Sequence, residues 1–226
     1  MNMINNNYSQ QITFSGRNKI LRDADWVCRK VNSEFPSIMP NRLFYENPDM
    51  ILKNPRIGEF LHKKNQQLTQ NRKVISKLFE PFERFKALIE TTKKYKVAQC
   101  SELSALAELV ARINGVKYCQ KFSIKDYDHA VLLVSDKPIK PTRIGENDII
   151  IDPWLGISGS VGDVFRKYKH QYSKLFPIGK NEVVSLIPAK PMELSRSQIE
   201  HFKDYFPKLI FKSADGHELM KKNSRI

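Results

Sequence analysis

Two short, mostly apolar runs rich in β-branched residues, Ala130 to Val134 and Asp148 to Ile151, constrain this chain more than any other stretch. Runs of this length and kind read as buried strands. The second ends in Asp152-Pro153, and a proline holds its predecessor extended and then stops the ladder, so Asp152 is expected as the last residue of its strand. The segment between, residues 136 to 145, carries two prolines, a glycine and several charges and reads as a loop. An antiparallel hairpin centred on that loop sets His129 opposite Asp152, within reach of a hydrogen bond. A slip of one residue would put the two on opposite faces.

A helix is expected from about Gln99 to Asn114. Leu103, Leu106, Ala107, Val110 and Ile113 recur at steps of three and four, and Asn114-Gly115 is a stop signal. Cys100 falls in its first turn, where unpaired backbone N–H groups and the positive end of the helix dipole favour a thiolate. Glu102 suits that end of a helix for the same reason.

A thiol is a weak nucleophile until a base removes its proton, and the base needs a group that fixes its tautomer. Cys100, His129 and Asp152 supply the three parts in one short stretch. Taken alone, each has a blander and more common role: a small apolar cysteine at the core edge, or a satisfied histidine at a strand end. Together, their settings favour the chemistry.

At these residues the chain resembles the papain-like and transglutaminase-like cysteine enzymes. In that superfamily a cysteine at the start of a central helix precedes a histidine and then an aspartate or asparagine on adjacent strands. The similarity covers Val97 to Gly156, about a quarter of the chain. Its short form, Asp128-His129-Ala130 and Asp152-Pro153-Trp154, looks most like secreted bacterial effector and toxin domains that cleave or deamidate host proteins. The resemblance implies an α+β fold with the nucleophile at the N-terminus of a central helix packed on an antiparallel sheet. It assigns Cys100 as nucleophile, His129 as base and Asp152 as orienting group. Gln99 and the Cys100 backbone N–H are the candidates for an oxyanion site, and Trp154 for shielding the His–Asp bond from water. The papain-type Cys-Gly-Ser-Cys-Trp signature is absent, since Ser101 and Glu102 follow Cys100.

The chemistry implied is acyl transfer through a thioester on a protein amide. Water resolving a backbone acyl group gives proteolysis and water resolving a glutamine side-chain acyl group gives deamidation. An amine gives transglutamination. The triad is common to all three, so the choice stays open, with hydrolysis favoured.

At 226 residues the chain suits one domain with appendages. The expected divisions are a disordered leader over 1–15, a helical N-terminal subdomain over 16–95, a catalytic core over 96–220 and a frayed tail over 221–226. Helices are expected over Gly16–Asn32 and Asn71–Tyr95, the latter kinked or split at Pro81, with Pro36, Pro40, Pro48 and Pro55 punctuating irregular chain between them. Later come a loop over Gly156–Gly162, a basic helix over Val161–Tyr172, a strand over Glu182–Ile187 and a helix over Ser195–Tyr205.

The three cysteines, Cys28, Cys100 and Cys119, argue against a disulfide scaffold and for a reducing compartment. No secretory signal peptide is read at the N-terminus, so export would use a specialised secretion system, with action in the host cytoplasm; otherwise the protein is cytoplasmic. No zinc spacing of Cys or His and no phosphate-cradling glycine loop occurs, so neither metal nor cofactor is expected.

A formal net charge of +14 raises a second class, a binder of nucleic acid or of an anionic membrane. Basic clusters lie at His62–Lys64, Lys93–Lys96, Arg166–His170 and Lys221–Lys222. Lysine outnumbers arginine and the clusters are dispersed, which disfavours base reading and leaves acidic proteins or a membrane surface as partners. A catalytically inactive member of the fold that binds a host protein is the third reading.

Overall fold

The computed structural model describes residues 7–140, 144–145, 148–179, 182, 184–190 and 192–210, with side chains from residue 19 onward. Among these the chain is mixed α+β. Helices α1 (Asn7–Glu34), α2 (Pro40–Glu46), α3 (Pro48–Lys53), α4 (Pro55–Ser76), α5 (Pro81–Tyr95) and α6 (Cys100–Ile113) come first. They are followed by β1 (Tyr118–Ile124), β2 (Ala130–Ser135), β3 (Ile149–Asp152), β4 (Ile157–Ser160), α7 (Val161–His170), β5 (Leu186–Pro188) and α8 (Arg196–Tyr205). The strands form one antiparallel sheet in the order β4-β3-β2-β1-β5.

All four residues of β3 and the first five of β2 are buried, so the centre of the sheet is covered on both faces. Helix α6 supplies much of that cover. Leu103, Leu106, Leu109 and Val110 lose all exposure, and each side chain contributes roughly 1.5–3 kcal/mol by leaving water. Burial also takes in Ser104 and Glu108, because α1 and α8 pack on α6 where a single-faced helix would meet solvent. Both polar groups are satisfied: Ser104 Oγ donates to the Ala130 carbonyl at 2.8 Å, and Glu108 accepts from Arg112 at 3.0 Å and from the Lys121 amide at 3.3 Å. The bonds to Ala130 and Lys121 pin α6 to β2 and β1.

The hairpin register differs from the expected one by two residues. Leu132 faces Ile151, Leu133 faces Ile150 and Val134 faces Ile149. Continuing that register sets Asp152 opposite Val131, with His129 on the diagonal beyond the start of β2. Just before β3 the Asp148 carboxylate accepts from the Gly145 amide at 2.8 Å. An even shift keeps both side chains on one face, so the pairing survives the correction.

Several other boundaries move. Residues 7–15, expected as part of a disordered leader, lie in α1, whose later turns pack on β3, β4 and α6 and supply Ala24, Val27, Cys28 and Val31 to the core. α1 is thus a layer of the core, and only α2–α5 remain as a helical arm. The stretch expected to be irregular is helical because Pro40, Pro48 and Pro55 each open a helix, where a missing N–H costs nothing. Pro81 likewise opens α5 and separates it from α4. The Gly156–Gly162 segment expected as a loop contains β4, which pairs with β3. β5 is shorter and later than the expected strand over Glu182–Ile187, while Ser195 caps α8 as expected, accepting from the Gln198 amide at 3.2 Å. The tail over 221–226 lies outside the described residues.

Candidate functional site

Cys100 is the first residue of α6, and Gln99 is its extended N-cap. The Glu102 carboxylate accepts from the Gln99 amide at 3.1 Å and is itself gripped by both arms of the Arg72 guanidinium, at 2.7 and 2.9 Å. This ties α4 of the helical arm to the first turn of α6 and raises the proton affinity of Arg72, chiefly through the Glu102 bond. Lys121 Nζ reaches Ser101 Oγ at 3.2 Å on the β1 side.

His129 sits where a tight turn delivers the chain into β2. Asp126 takes a left-handed φ of 66°, the His129 amide donates to the Tyr127 carbonyl at 2.8 Å, and the His129 carbonyl accepts from the Ile124 amide at 2.9 Å. The anchor between Ser104 and Ala130 lies one residue along, so the spacing between α6 and the imidazole is fixed close to both.

Asp152 ends β3, and the following turn is closed by the Gly156 amide donating to the Asp152 carbonyl at 2.9 Å. Gly156 has φ +73°, a conformation that a side chain would strain. The Asp152 carboxylate is fully buried and accepts three hydrogen bonds: His129 Nε2 at 2.7 Å and the Tyr168 hydroxyl at 2.7 Å on Oδ2, and the Leu155 amide at 3.2 Å on Oδ1. Because a carboxylate only accepts, Nε2 carries a proton and Nδ1 is the nitrogen left to take one. Cys100 Sγ lies 3.8 Å from the Asp128 carbonyl, and Cys100 is half-buried.

Rings wall the imidazole. Trp154 and Phe176 lie 5.0 Å from it by centroid, and Tyr168 meets it edge-on at 5.9 Å. Burial opposes the charged imidazole, but the Asp152 charge and hydrogen bond and the Cys100 thiol outweigh it, raising the His129 pKa from 6.5 to about 10. Cys28 and Cys119 are buried, and that burial pushes both thiols up to about 12.

The structure therefore joins His129 and Asp152 in a buried hydrogen bond and sets the Cys100 thiol against the carbonyl of Asp128, the residue before His129. Gln99 and Trp154 flank the site, and each is almost fully buried with a donor, Nε2 and Nε1 respectively, that has no acceptor among the described residues. A buried donor without a partner costs roughly 1–3 kcal/mol. Trp154 is held by Arg42 of α2, whose guanidinium donates to the Trp154 carbonyl at 2.6 Å and lies 6.0 Å from the ring.

Tyr168 and Phe176 were not singled out by the sequence. Tyr168 sits in the cluster Arg166–His170, and the signal that could have found it is the stripe Val161, Val164, Tyr168 on the buried face of α7. Other cluster cations are engaged within the protein: Lys64 donates to the Tyr95 carbonyl at 2.8 Å, and Lys93 lies over the rings of Phe35 and Phe206. Lys221–Lys222 lie outside the described residues. No group of acidic, cysteine or histidine side chains that could hold a metal occurs among the described residues.

Comparison with protein-family models, curated proteins and solved structures finds no match to this chain.

Proposed function

We propose that this protein is a cysteine-dependent hydrolase with a papain-like or transglutaminase-like core that opens an amide of a protein substrate through a thioester. The observation that carries the reading is His129, buried and bonded through Nε2 to Asp152, one residue from the Asp128 carbonyl that Cys100 Sγ meets at 3.8 Å. Proton transfer from Cys100 to Nδ1 gives a thiolate at the N-terminus of α6, where helix N–H groups favour it. The sulfur attacks the amide carbon, and the oxyanion is received by the Cys100 amide and the unpartnered Gln99 Nε2. The imidazolium then protonates the leaving amine as the C–N bond breaks. Water, deprotonated by the same nitrogen, attacks the thioester, releasing the acid and restoring the thiol. Trp154, packed on His129, limits water at the His–Asp bond.

The reading extends to a secreted bacterial effector, exported by a specialised secretion system, that acts on a protein of the host cytoplasm. A reducing compartment suits an enzyme whose three cysteines are all free. The test is product analysis by mass spectrometry after incubation with host-cell protein. New N-termini, or glutamines converted to glutamates, should appear with wild type and be absent with Cys100→Ala. A Cys100→Ala sample as active as wild type would sink the reading.

A further inference from the structure

We propose that Tyr168 is the positioning residue of this site, holding the Asp152 carboxylate in the orientation from which it binds His129. The inference rests on the hydrolase reading above.

Four observations carry it. The Tyr168 hydroxyl and His129 Nε2 bond the same oxygen, each at 2.7 Å. Tyr168 is fully buried, and burial followed by the Asp152 charge raises its pKa well above 10, so the phenol keeps its proton and donates. The ring is fixed by stacking on Phe176, with centroids 4.5 Å apart, and by its edge-on contact with the imidazole. Among the described residues, the other donor on the carboxylate besides His129 is the longer Leu155 amide, on the opposite oxygen.

Rotation about Cβ–Cγ is the freedom a carboxylate retains in a packed site. Two donors on one oxygen from different directions remove it; one amide on the other oxygen at 3.2 Å constrains it far less. The positioning also crosses the fold, since Tyr168 comes from α7, Asp152 from β3 and His129 from the turn into β2. α7 thus sets the imidazole without touching substrate or the reacting sulfur. Without the hydroxyl, Oδ2 gains charge density toward Nε2, which would strengthen the bond, but it loses the anchor that aims it. Misaim governs, because transfer between Cys100 and Nδ1 depends on ring placement at the scale of a fraction of an ångström.

The test is the rate of Cys100 carbamidomethylation across pH in wild type, Tyr168→Phe, His129→Ala, Asp152→Asn, Tyr168→Phe/Asp152→Asn and Tyr118→Phe. Tyr168→Phe keeps the ring stack and should slow alkylation at pH 6 by about three- to tenfold while moving the pH midpoint. The same change should have no further effect in the Asp152→Asn background, and Tyr118→Phe should match wild type. A Tyr168→Phe rate within twofold of wild type or faster, or an undiminished effect in Asp152→Asn, overturns the proposal. If wild type lacks acid-side reactivity that His129→Ala removes, the hydrolase reading fails and this proposal fails with it. If wild type has that reactivity and Tyr168→Phe retains it, only the role of Tyr168 is lost. Should Tyr168→Phe not fold, 3-fluorotyrosine placed at 168 keeps the hydroxyl, and its fluorine resonance should follow the Cys100 alkylation midpoint. A resonance silent through that range is the contrary result.

Discussion

His129 Nε2 lies 2.7 Å from Oδ2 of Asp152, with both side chains almost sealed from water. A buried pair of this kind is strongly coupled, and removing one partner leaves the other uncompensated.

Asp152→Asn separates orientation from packing. An asparagine that turns its oxygen to Nε2 must turn its amide nitrogen toward the Leu155 N–H, so at least one bond is lost. Stability should fall by about 1–3 kcal/mol, measured by urea denaturation, for a buried donor left short. Cys100 alkylation at pH 6 should fall by about tenfold or more, because the imidazole is no longer held in the tautomer that receives the thiol proton.

The charged imidazole makes stability depend on pH in a definite direction. The folded-state pKa of about 10 is above the unfolded value near 6.5. The contribution is therefore complete below about pH 6.5 and is lost as pH rises toward 10. The gap in urea midpoint between wild type and His129→Gln should be widest at pH 6 and narrow by pH 10. A gap constant over that range would contradict a charged His129 in the folded protein.

Glu102 and Arg72 should not be equivalent although they form one ion pair. Arg72 is half exposed, so Arg72→Ala should cost at most about 1 kcal/mol. Glu102 also accepts from the Gln99 amide at the start of α6, so Glu102→Ala should cost about 1–2 kcal/mol, the pair plus the cap. Equal losses in denaturation would mean that the cap bond is not formed.

The parts of this fold that were legible in the sequence are those set by local pattern. The 3-4 spacing of Leu103 to Ile113 and the Asn114-Gly115 stop gave α6, and Pro153 gave the end of β3 at Asp152. Cys100, His129 and Asp152 could be named because each lies at the end of such an element. Register was less legible, since the Asp148 carboxylate bonds the Gly145 amide just before β3, a contact that periodicity does not weigh. The helices opened by Pro40, Pro48 and Pro55 are hidden by proline's helix-breaking character, which does not apply at a helix start. Tyr168 was hidden by its neighbours: flanked by lysines it reads as surface, and only the packing of α7 against β3 and β4 turns it inward to Asp152.

The most direct measurement is the pH dependence of alkylation at each cysteine, read by peptide mass, in wild type and His129→Ala. At pH 6 Cys100 should react at least about tenfold faster than Cys28 and Cys119, whose buried thiols are pushed up to about 12, and His129→Ala should abolish that advantage. A Cys100 that is inert at pH 6, or equally reactive without His129, would contradict a thiolate–imidazolium pair at this site.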